Sequence, residues 1–451
     1  MIIIQEQKKV IKTVLEPQAV DSEATYRVAD FCVKSVIDGK TVIYHSLTGE
    51  VCELDEREAE LLRDGTVATD ENKELIEHYF LVPKEYDEIE LANEIHEFVK
   101  VFEKSKGING YTIFTTMDCN ARCFYCYEMG RPRTPMSEQT AKDVVQFIKK
   151  SANPKKPVSI SWFGGEPLYN QSVIDIITSG LRKEGIEFRS TMVTNGFLCD
   201  AATAKKAKEC WNLKRVQISL DGTEEIYNRS KAFIYEGVNS FKVVTDNIEG
   251  LLKEDVFVSI RLNLGEHNKE DLYKLVEWID KRYPDKSHLS VYAHLLFEYY
   301  DNAVKDDLRG TLAADLIELE DYCRRVGLRN DRTFTDGIKT TRCMADNDGA
   351  ITITPTGKLG KCEHYTEDNF AGDIYNGITD PDTVARFKER SNTKEICSGC
   401  AAYPSCIILK MCPDVGNTVC NNAARKIAET ALERSLVATY KKIKEQKNKA
   451  K

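Results

Sequence analysis

The chain has 451 residues, 42% hydrophobic and 30% charged, with a formal net charge of −9. This describes a globular protein large enough for two or three domains, and so acidic a chain is not built to follow a phosphate backbone. No stretch reaches the roughly 18 to 20 uncharged apolar residues that span a bilayer, and "MIIIQEQKKVIK" returns to charge too soon for a signal peptide; the expectation is a cytoplasmic protein with neither nucleic acid nor membrane as partner.

Residues 1–95 form a first section. In "YRVADFCVKSVIDGKTVIYHSLTGEVCELDEREAELLRDG" alternating strands flank the turn signals "DGK" and "TGE", and a helix follows from about Asp55. Leu54, Ala59, Leu61 and Leu62 supply part of its apolar face, and "KELIEHYFLVP" reads as a second short helix ending before Pro83.

From 96 to 305 the chain repeats a strand, a polar turn and an amphipathic helix. The predicted strands are 111–118, 158–165, 188–196, 215–222, 256–264 and 289–297, with helices entered from Ser137 and Asn268 among those between them. This spacing implies a parallel sheet with right-handed crossovers, either a partial barrel or a doubly wound sheet, with function at the C-terminal ends of the strands. "CNARCFYC", "GGEP", "TNG" and "SLDG" follow the first four strands in turn, and "RLN" (261–263) closes the fifth. They converge on one end of the sheet.

A helical bridge over 306–340 leads to a section at 341–425 that is rich in Gly, Pro, Asp and Cys and short of periodic elements. Such a section cannot bury much apolar surface, so metal is expected to hold it together. The chain closes on an amphipathic helix, about 421–446, most of which makes up a last unit at 426–451.

Fifteen cysteines are a heavy load for reduced surroundings, where clusters of them read as metal or redox sites before disulfides. Cys119, Cys123 and Cys126 stand on one loop, seven more lie between Cys343 and Cys420, and Cys32, Cys52, Cys199, Cys210 and Cys323 are scattered. Three thiolates satisfy three irons of a 4Fe–4S cube and leave the fourth open, where an electron-transfer cluster takes four cysteines. A zinc site completed by a distant ligand is the other reading, but zinc usually gathers CxxC pairs.

Cys119, Cys123, Tyr125 and Cys126 match the Cx3CxΦC signature of the radical S-adenosylmethionine (SAM) superfamily, and the chain resembles that family from about residue 25 to 425. The resemblance implies a partial (β/α)6 barrel in which SAM chelates the open iron and is cleaved by one electron to a 5′-deoxyadenosyl radical. It carries over SAM contacts to Tyr125, Gly164, Gly165, Glu166, Asn195, Ser219 and Arg229, with Glu166 accepting from the SAM ammonium. The glycines are expected to let backbone approach the ligand. An external donor of flavodoxin or ferredoxin type supplies the electron.

The C-terminal cysteines resemble the SPASM extension of radical SAM peptide maturases, which implies two further 4Fe–4S clusters, three in all. Carried over, Cys343, Cys362 and Cys412 bind an inner cluster, and Cys397, Cys400, Cys406 and Cys420 an outer one. Five residues separate Cys406 from Cys412 where three are usual, and no cysteine lies between Cys343 and Cys362. The inner cluster is therefore expected either to keep an open iron or to take a leftover cysteine or a non-cysteine ligand. Residues 1–95 resemble the winged-helix-like peptide-recognition domain of ribosomal-peptide modifying enzymes, with a three-stranded sheet to which a leader peptide adds as a strand.

The leading expectation is a maturase of the sactipeptide or ranthipeptide type, forming Cys-sulfur-to-carbon thioethers in a precursor peptide. The alternatives are carbon–carbon crosslinking, formylglycine formation, or an iron–sulfur electron carrier without catalysis. No general base is identifiable among the 72 Asp and Glu residues.

Overall fold

The computed structural model describes residues 1–103, 107–296, 306–413, 420 and 422–449. Six parallel strands, Gly110–Thr116, Val158–Gly164, Phe188–Thr194, Leu213–Ser219, Phe257–Leu264 and Leu289–Leu295, lie side by side in chain order. The last residue of the sixth expected strand, 297, lies outside the described residues.

Sequential order decides between the two architectures left open above. A doubly wound sheet reverses its strand order at a switch point, whereas an unbroken order with right-handed crossovers puts every helix on one face. That outer face is the core: Val216, Ile218, Val258, Ile260, Leu262 and Val291 are fully buried against the helices. On the other face stand half-buried polar residues, among them Thr112, Ser161, Gln217, Ser219, Arg261, Tyr292 and His294. Buried parallel strands are normally apolar on both faces, so a polar inner face marks a lined lumen.

The helices start where their caps dictate. Ser137, Asp200 and Asn239 accept from the backbone amides of Thr140, Thr203 and Lys242 to open Glu138–Ser151, Ala201–Glu209 and Ser240–Lys253. Helix Asp306–Arg325 lies over the sixth strand, and its Leu319 and Cys323 join the main core. It belongs to the barrel layer rather than to a separate bridge.

The C-terminal section holds more core than its composition suggests. Strand Ala350–Ile353 pairs in parallel with Gly110–Thr116, and Lys358–Gly360, Gly372–Asp373 and Gly377–Ile378 extend the same sheet to ten strands. Ile351, Ile353, Leu359 and Ile374 enter the barrel core. The tight turn at Gly357 makes this return possible: its φ is +78°, and an added Cβ would sit 2.9 Å from Ile374.

Residues 1–103 fold into two sheets, not one of three strands. Strands Ile2–Gln5, Val51–Leu54, Lys40–His45 and Cys32–Ile37 make a four-stranded antiparallel sheet in that order, and Thr66–Val67, Thr25–Val28 and Leu81–Pro83 a smaller one. The expected helix at Asp55 forms over Glu56–Leu61 behind a capping box. The second short helix covers only Lys73–Glu77, because Tyr79 takes a positive φ of 66° and the apolar residues beyond it pair as a strand. Helix Asn422–Lys449 packs Leu436 and Tyr440 against Val33, Ile37 and Tyr44 of the larger sheet.

His45 in this sheet is 2% exposed, and burial together with the Lys8 charge pulls its pKa down to about 3. Its Nδ1 accepts from the Thr48 amide, and Phe31 and Phe80 meet its ring edge-on. An unfolded histidine titrates near 6.5, so below that pH the unfolded chain binds a proton that the native chain refuses. Stability is lost as pH falls, by about 2 kcal/mol at pH 5 for this group. His78, raised by its bond to Glu50, acts in the opposite sense. The exchange protection factors of Lys40–His45 should therefore fall less between pH 7 and pH 5 in His45→Phe than in the unsubstituted chain. An equal fall in both would contradict the assignment.

Candidate active site and cysteine sites

The loop after the first strand is positioned by backbone, and the glycines of "GGEP" are the reason it can be. A Cβ on Gly164 would lie 2.2 Å from the Thr116 carbonyl oxygen, and one on Gly165 would lie 2.5 Å from that of Asp118. The amides of Gly165 and Glu166 donate to these same two oxygens. The close approach expected toward a ligand is thus made toward the root of the cysteine loop.

Glu166 is also turned inward. It is fully buried, its Oε1 accepts from the Leu168 amide and the Thr194 hydroxyl, and its Oε2 accepts from the Asn195 amide. Burial pushes its pKa up to about 7 despite these donors. The carboxyl ties the ends of the second and third strands together behind the loop. Asn195 continues the tie: its side-chain amide donates to Asn120 Oδ1 at 2.6 Å and stands 3.7 Å from the Cys119 sulfur.

Beside the loop lies a buried polar network. Lys231 and Asp221, 3% and 1% exposed, pair at 3.0 Å. Lys231 Nζ also donates to Ser219 Oγ at 2.7 Å and to Tyr125 Oη at 2.6 Å, Tyr125 donates to Asp221, and Asn263 donates to Asp221 Oδ1 at 2.8 Å. Burial alone pulls the ammonium pKa down, but Asp221 and the neighbouring anionic groups raise it above the ordinary value. The Lys231 carbonyl accepts from the Arg122 amide and lies 3.9 Å from the Cys123 sulfur, so this network also braces the loop.

Arg229 is not part of it. Helix Glu224–Lys231 buries Tyr227, Ser230 and Lys231, while Arg229 is exposed. Positions four apart share a helical face, so Tyr227 and Lys231 point inward together. That periodicity was the available signal for Lys231, a residue the sequence reading passed over; Asp221 and Asn263 stand inside the motifs "SLDG" and "RLN" that it placed at this end of the sheet.

The thiols of Cys119, Cys123 and Cys126 are all raised by burial, Cys119 to about 12, and Cys119 is raised further by Glu166 and by the other two sulfurs. Three such neighbours sharing one loop suit a multivalent centre that would draw them into thiolates. Among the described residues, no group of three His, Cys, Asp or Glu converges tightly enough for a single metal ion. A four-iron cube is larger than one ion, and its ligands stand further apart.

The C-terminal cysteines fall into two neighbourhoods. Burial raises Cys397, Cys406 and Cys420, and repulsion among these three and Cys400 adds to it. Cys343 and Cys362 are likewise raised, with Cys412 contributing to both. The quartet backs onto the N-terminal section: Cys397 shares a core with Phe31 and Leu47, Ser46 donates to the Ala401 carbonyl at 2.6 Å, and Tyr403 stacks on Phe31. The triad lies toward the barrel loop. The His364 ring, two residues past Cys362, is 4.3 Å from that of Tyr127, the residue after Cys126, and Arg131 donates to the His364 carbonyl at 2.8 Å.

Residues 113–279 match the model of the radical SAM superfamily. The barrel segment is thus similar to those of radical SAM enzymes, and SAM with a 4Fe–4S cluster are the cofactors that it supports. Among curated relatives, the radical SAM cyclopropyl synthase TigE of Paramaledivibacter caminithermalis is 25% identical over 255 residues, covering 48% of this chain and 52% of its own. The chain thus spans about half the length of that relative. GTP 3′,8-cyclase of Clostridium perfringens is 26% identical over 290 residues, covering 59% and 84%. Of solved structures, anSMEcpe with bound AdoMet and Kp18Cys peptide superposes with a TM-score of 0.56 at 16% identity, covering 75% of this chain and 99% of that one. SuiB of Streptococcus suis bound to the precursor peptide SuiA gives 0.50 at 13% identity, covering 88% and 99%. These likenesses are of fold. No helix among the described residues is long and apolar enough to cross a membrane.

Proposed function

We propose that this enzyme matures a ribosomally made precursor peptide by joining a cysteine sulfur to a carbon of another residue as a thioether. What supports the reading is that Cys397, Cys400, Cys406 and Cys420 neighbour one another, that Cys343, Cys362 and Cys412 do likewise, and that His364, two residues past Cys362, meets Tyr127 of the barrel loop. Four thiolates complete a 4Fe–4S cluster, whereas Cys343, Cys362 and Cys412 leave one iron for a substrate thiolate. Leftover cysteines do not fill the place. Cys32 and Cys52 stand in the four-stranded N-terminal sheet, Cys199 and Cys323 in the barrel core, and Cys210 is exposed at a helix end. Glu363, whose charge bears on Cys343 and Cys362, is the non-cysteine competitor.

Bound at Cys119, Cys123 and Cys126, the cluster and SAM supply an electron and an adenosyl radical that takes hydrogen from an unactivated carbon. The chain aims that chemistry. Tyr125, Asn195, Ser219 and Lys231 line the SAM side, with Gly164, Gly165 and Glu166 fixing the loop from behind. Each crosslink breaks one C–H and one S–H bond and forms one C–S bond. The hydrogen atom leaves on the adenosyl carbon, the proton goes to solvent, and the surplus electron returns through the cysteine sites.

Residues 1–95 supply the tether for the leader peptide. One edge of the larger sheet is filled by the chain's own Ile2–Gln5, which leaves strand Cys32–Ile37 as the edge for strand addition. Its two-residue hairpin to Lys40–His45 turns the backbone groups of Lys34 and Val36 outward, and Val36 is 71% exposed. Anaerobic incubation with SAM, a reductant and a leader-bearing cysteine peptide should remove the mass of two hydrogens per crosslink. Val36→Pro deletes one outward amide without touching the ladder, and should weaken leader binding about tenfold while leaving 5′-deoxyadenosine formation unchanged. A peptide that keeps its mass while SAM is consumed, or an unaltered affinity in the proline variant, would count against the respective part. Deleting 1–95 outright is the poorer experiment, because it strips the core behind Cys397 and Tyr403.

A further inference from the structure

The barrel has a second concave surface, at the end opposite the cysteine loop. A cleft of about 980 Å³ opens at the first residues of the strands, between Gly110, Ser159 and Arg189 on one side and residues 340–341 and 346–350 on the other. Six cations line it, Lys100, Lys155, Lys156, Arg189, Lys388 and Arg390, against the carboxylates Asp346 and Asp348. Asp348 is already paired with Lys388, and Asp346 is turned to the amides of Arg342 and Cys343. Lys155, Lys156 and Arg189 are exposed and have no carboxylate within ion-pair distance among the described residues.

On a chain of net charge −9, such a concentration of unpaired cations is local and directional. It repels nothing acidic at close range while the rest of the molecule does, which orients an acidic partner. Position adds the second argument. The far wall of the cleft carries Thr341 and Asp346, two and three residues from Cys343, and Cys343 is itself exposed. The strands are about 20 Å long, so a protein seated here leaves the opposite mouth free for SAM and peptide.

We propose that this cleft docks the reductant, a small acidic protein carrying a one-electron flavin or iron–sulfur group, and that electrons enter through the Cys343, Cys362 and Cys412 site. The proposal rests on the reading of that triad as a cluster site. For each SAM cleaved without peptide, the donor would be oxidised by one electron, the sulfonium C–S bond would break to methionine and a 5′-deoxyadenosyl radical, and that radical would take a hydrogen atom from a buffer C–H to give 5′-deoxyadenosine. The path inward from Cys362 runs through His364 and Tyr127 to Cys126.

The test uses reconstituted, full-length protein with reduced flavodoxin as the acidic donor and dithionite as a donor that needs no docking. Lys155→Glu/Lys156→Glu and Arg189→Glu should each weaken flavodoxin binding and flavodoxin-driven 5′-deoxyadenosine formation about tenfold, while the dithionite-driven rate stays within twofold. Lys155→Gln/Lys156→Gln should fall between, and added salt should erase the differences. Unchanged flavodoxin affinity in the charge-reversed proteins overturns the docking site, as does a cleft that captures a single-stranded oligonucleotide instead of flavodoxin. If flavodoxin binding is lost but Cys343→Ala keeps the flavodoxin-driven rate, the cleft stands and the route through the triad falls. Failure of the unsubstituted protein to cleave SAM with dithionite would instead sink the reading of the barrel site.

Discussion

Replacing Cys119, Cys123 or Cys126 with alanine abolishes 5′-deoxyadenosine formation, with dithionite as well as with a protein donor. The three sulfurs share one loop, and the cysteines nearest to it in sequence, Cys52 and Cys199, are buried in the N-terminal sheet and in the barrel core. The loop is over-determined by its surroundings, held by the Thr116 and Asp118 carbonyls, Asn195 and the Lys231 carbonyl. Removing one sulfur therefore does not recruit another. Anaerobic reconstitution followed by iron counting and electron paramagnetic resonance checks the loss of that centre separately from activity. Retained SAM cleavage in any of the three variants would contradict the site.

The second large effect falls on Lys231. Lys231→Met leaves Asp221 buried without its counter-charge, with Tyr125 and Asn263 left to donate to it. Breaking a buried pair from one side costs about 3–5 kcal/mol, and replacing both partners by apolar groups restores much of it. The variant should melt well below the unsubstituted protein, and Lys231→Met/Asp221→Leu should recover stability without recovering SAM affinity. Arg229→Met, on the exposed face of the same helix, should do neither. Denaturant titration and SAM binding measured on all three variants separate the brace from the ligand contact. If Arg229→Met proves the more damaging, the assignment of the inward face is wrong.

How much could be read in advance depended on the range of the interaction concerned. The six barrel strands were legible because each is a short apolar run closed by a polar or glycine-rich turn, but their order was not, because one favoured crossover hand fits a barrel and a doubly wound sheet alike. The helix starts at Ser137 and Asp55 were legible because a cap is a local bond. The role of Gly164 and Gly165 was not. Glycine announces a close approach, but only the fold says that the approaching atoms are the carbonyls of residues 116 and 118. Arg229 was named from motif position alone, whereas helical phase leaves it exposed and buries Lys231. Strand Ala350–Ile353 escaped notice because four residues carry too little periodicity to stand apart from a loop, while its partner Gly110–Thr116 lies some 240 residues away in the chain.

The sequence by itself determined the chemistry: three cysteines at one spacing, seven at another, and a repeating strand and helix unit to carry them. These are covalent facts of spacing and period that no packing alters. The tertiary structure decided which thiols are neighbours, which side chain of "NRSK" turns inward, and that the cations around residues 155, 156 and 189 face the segment bearing Cys343. Those are contacts between segments far apart in the chain, and such contacts exist only once the sheet has brought its edges together.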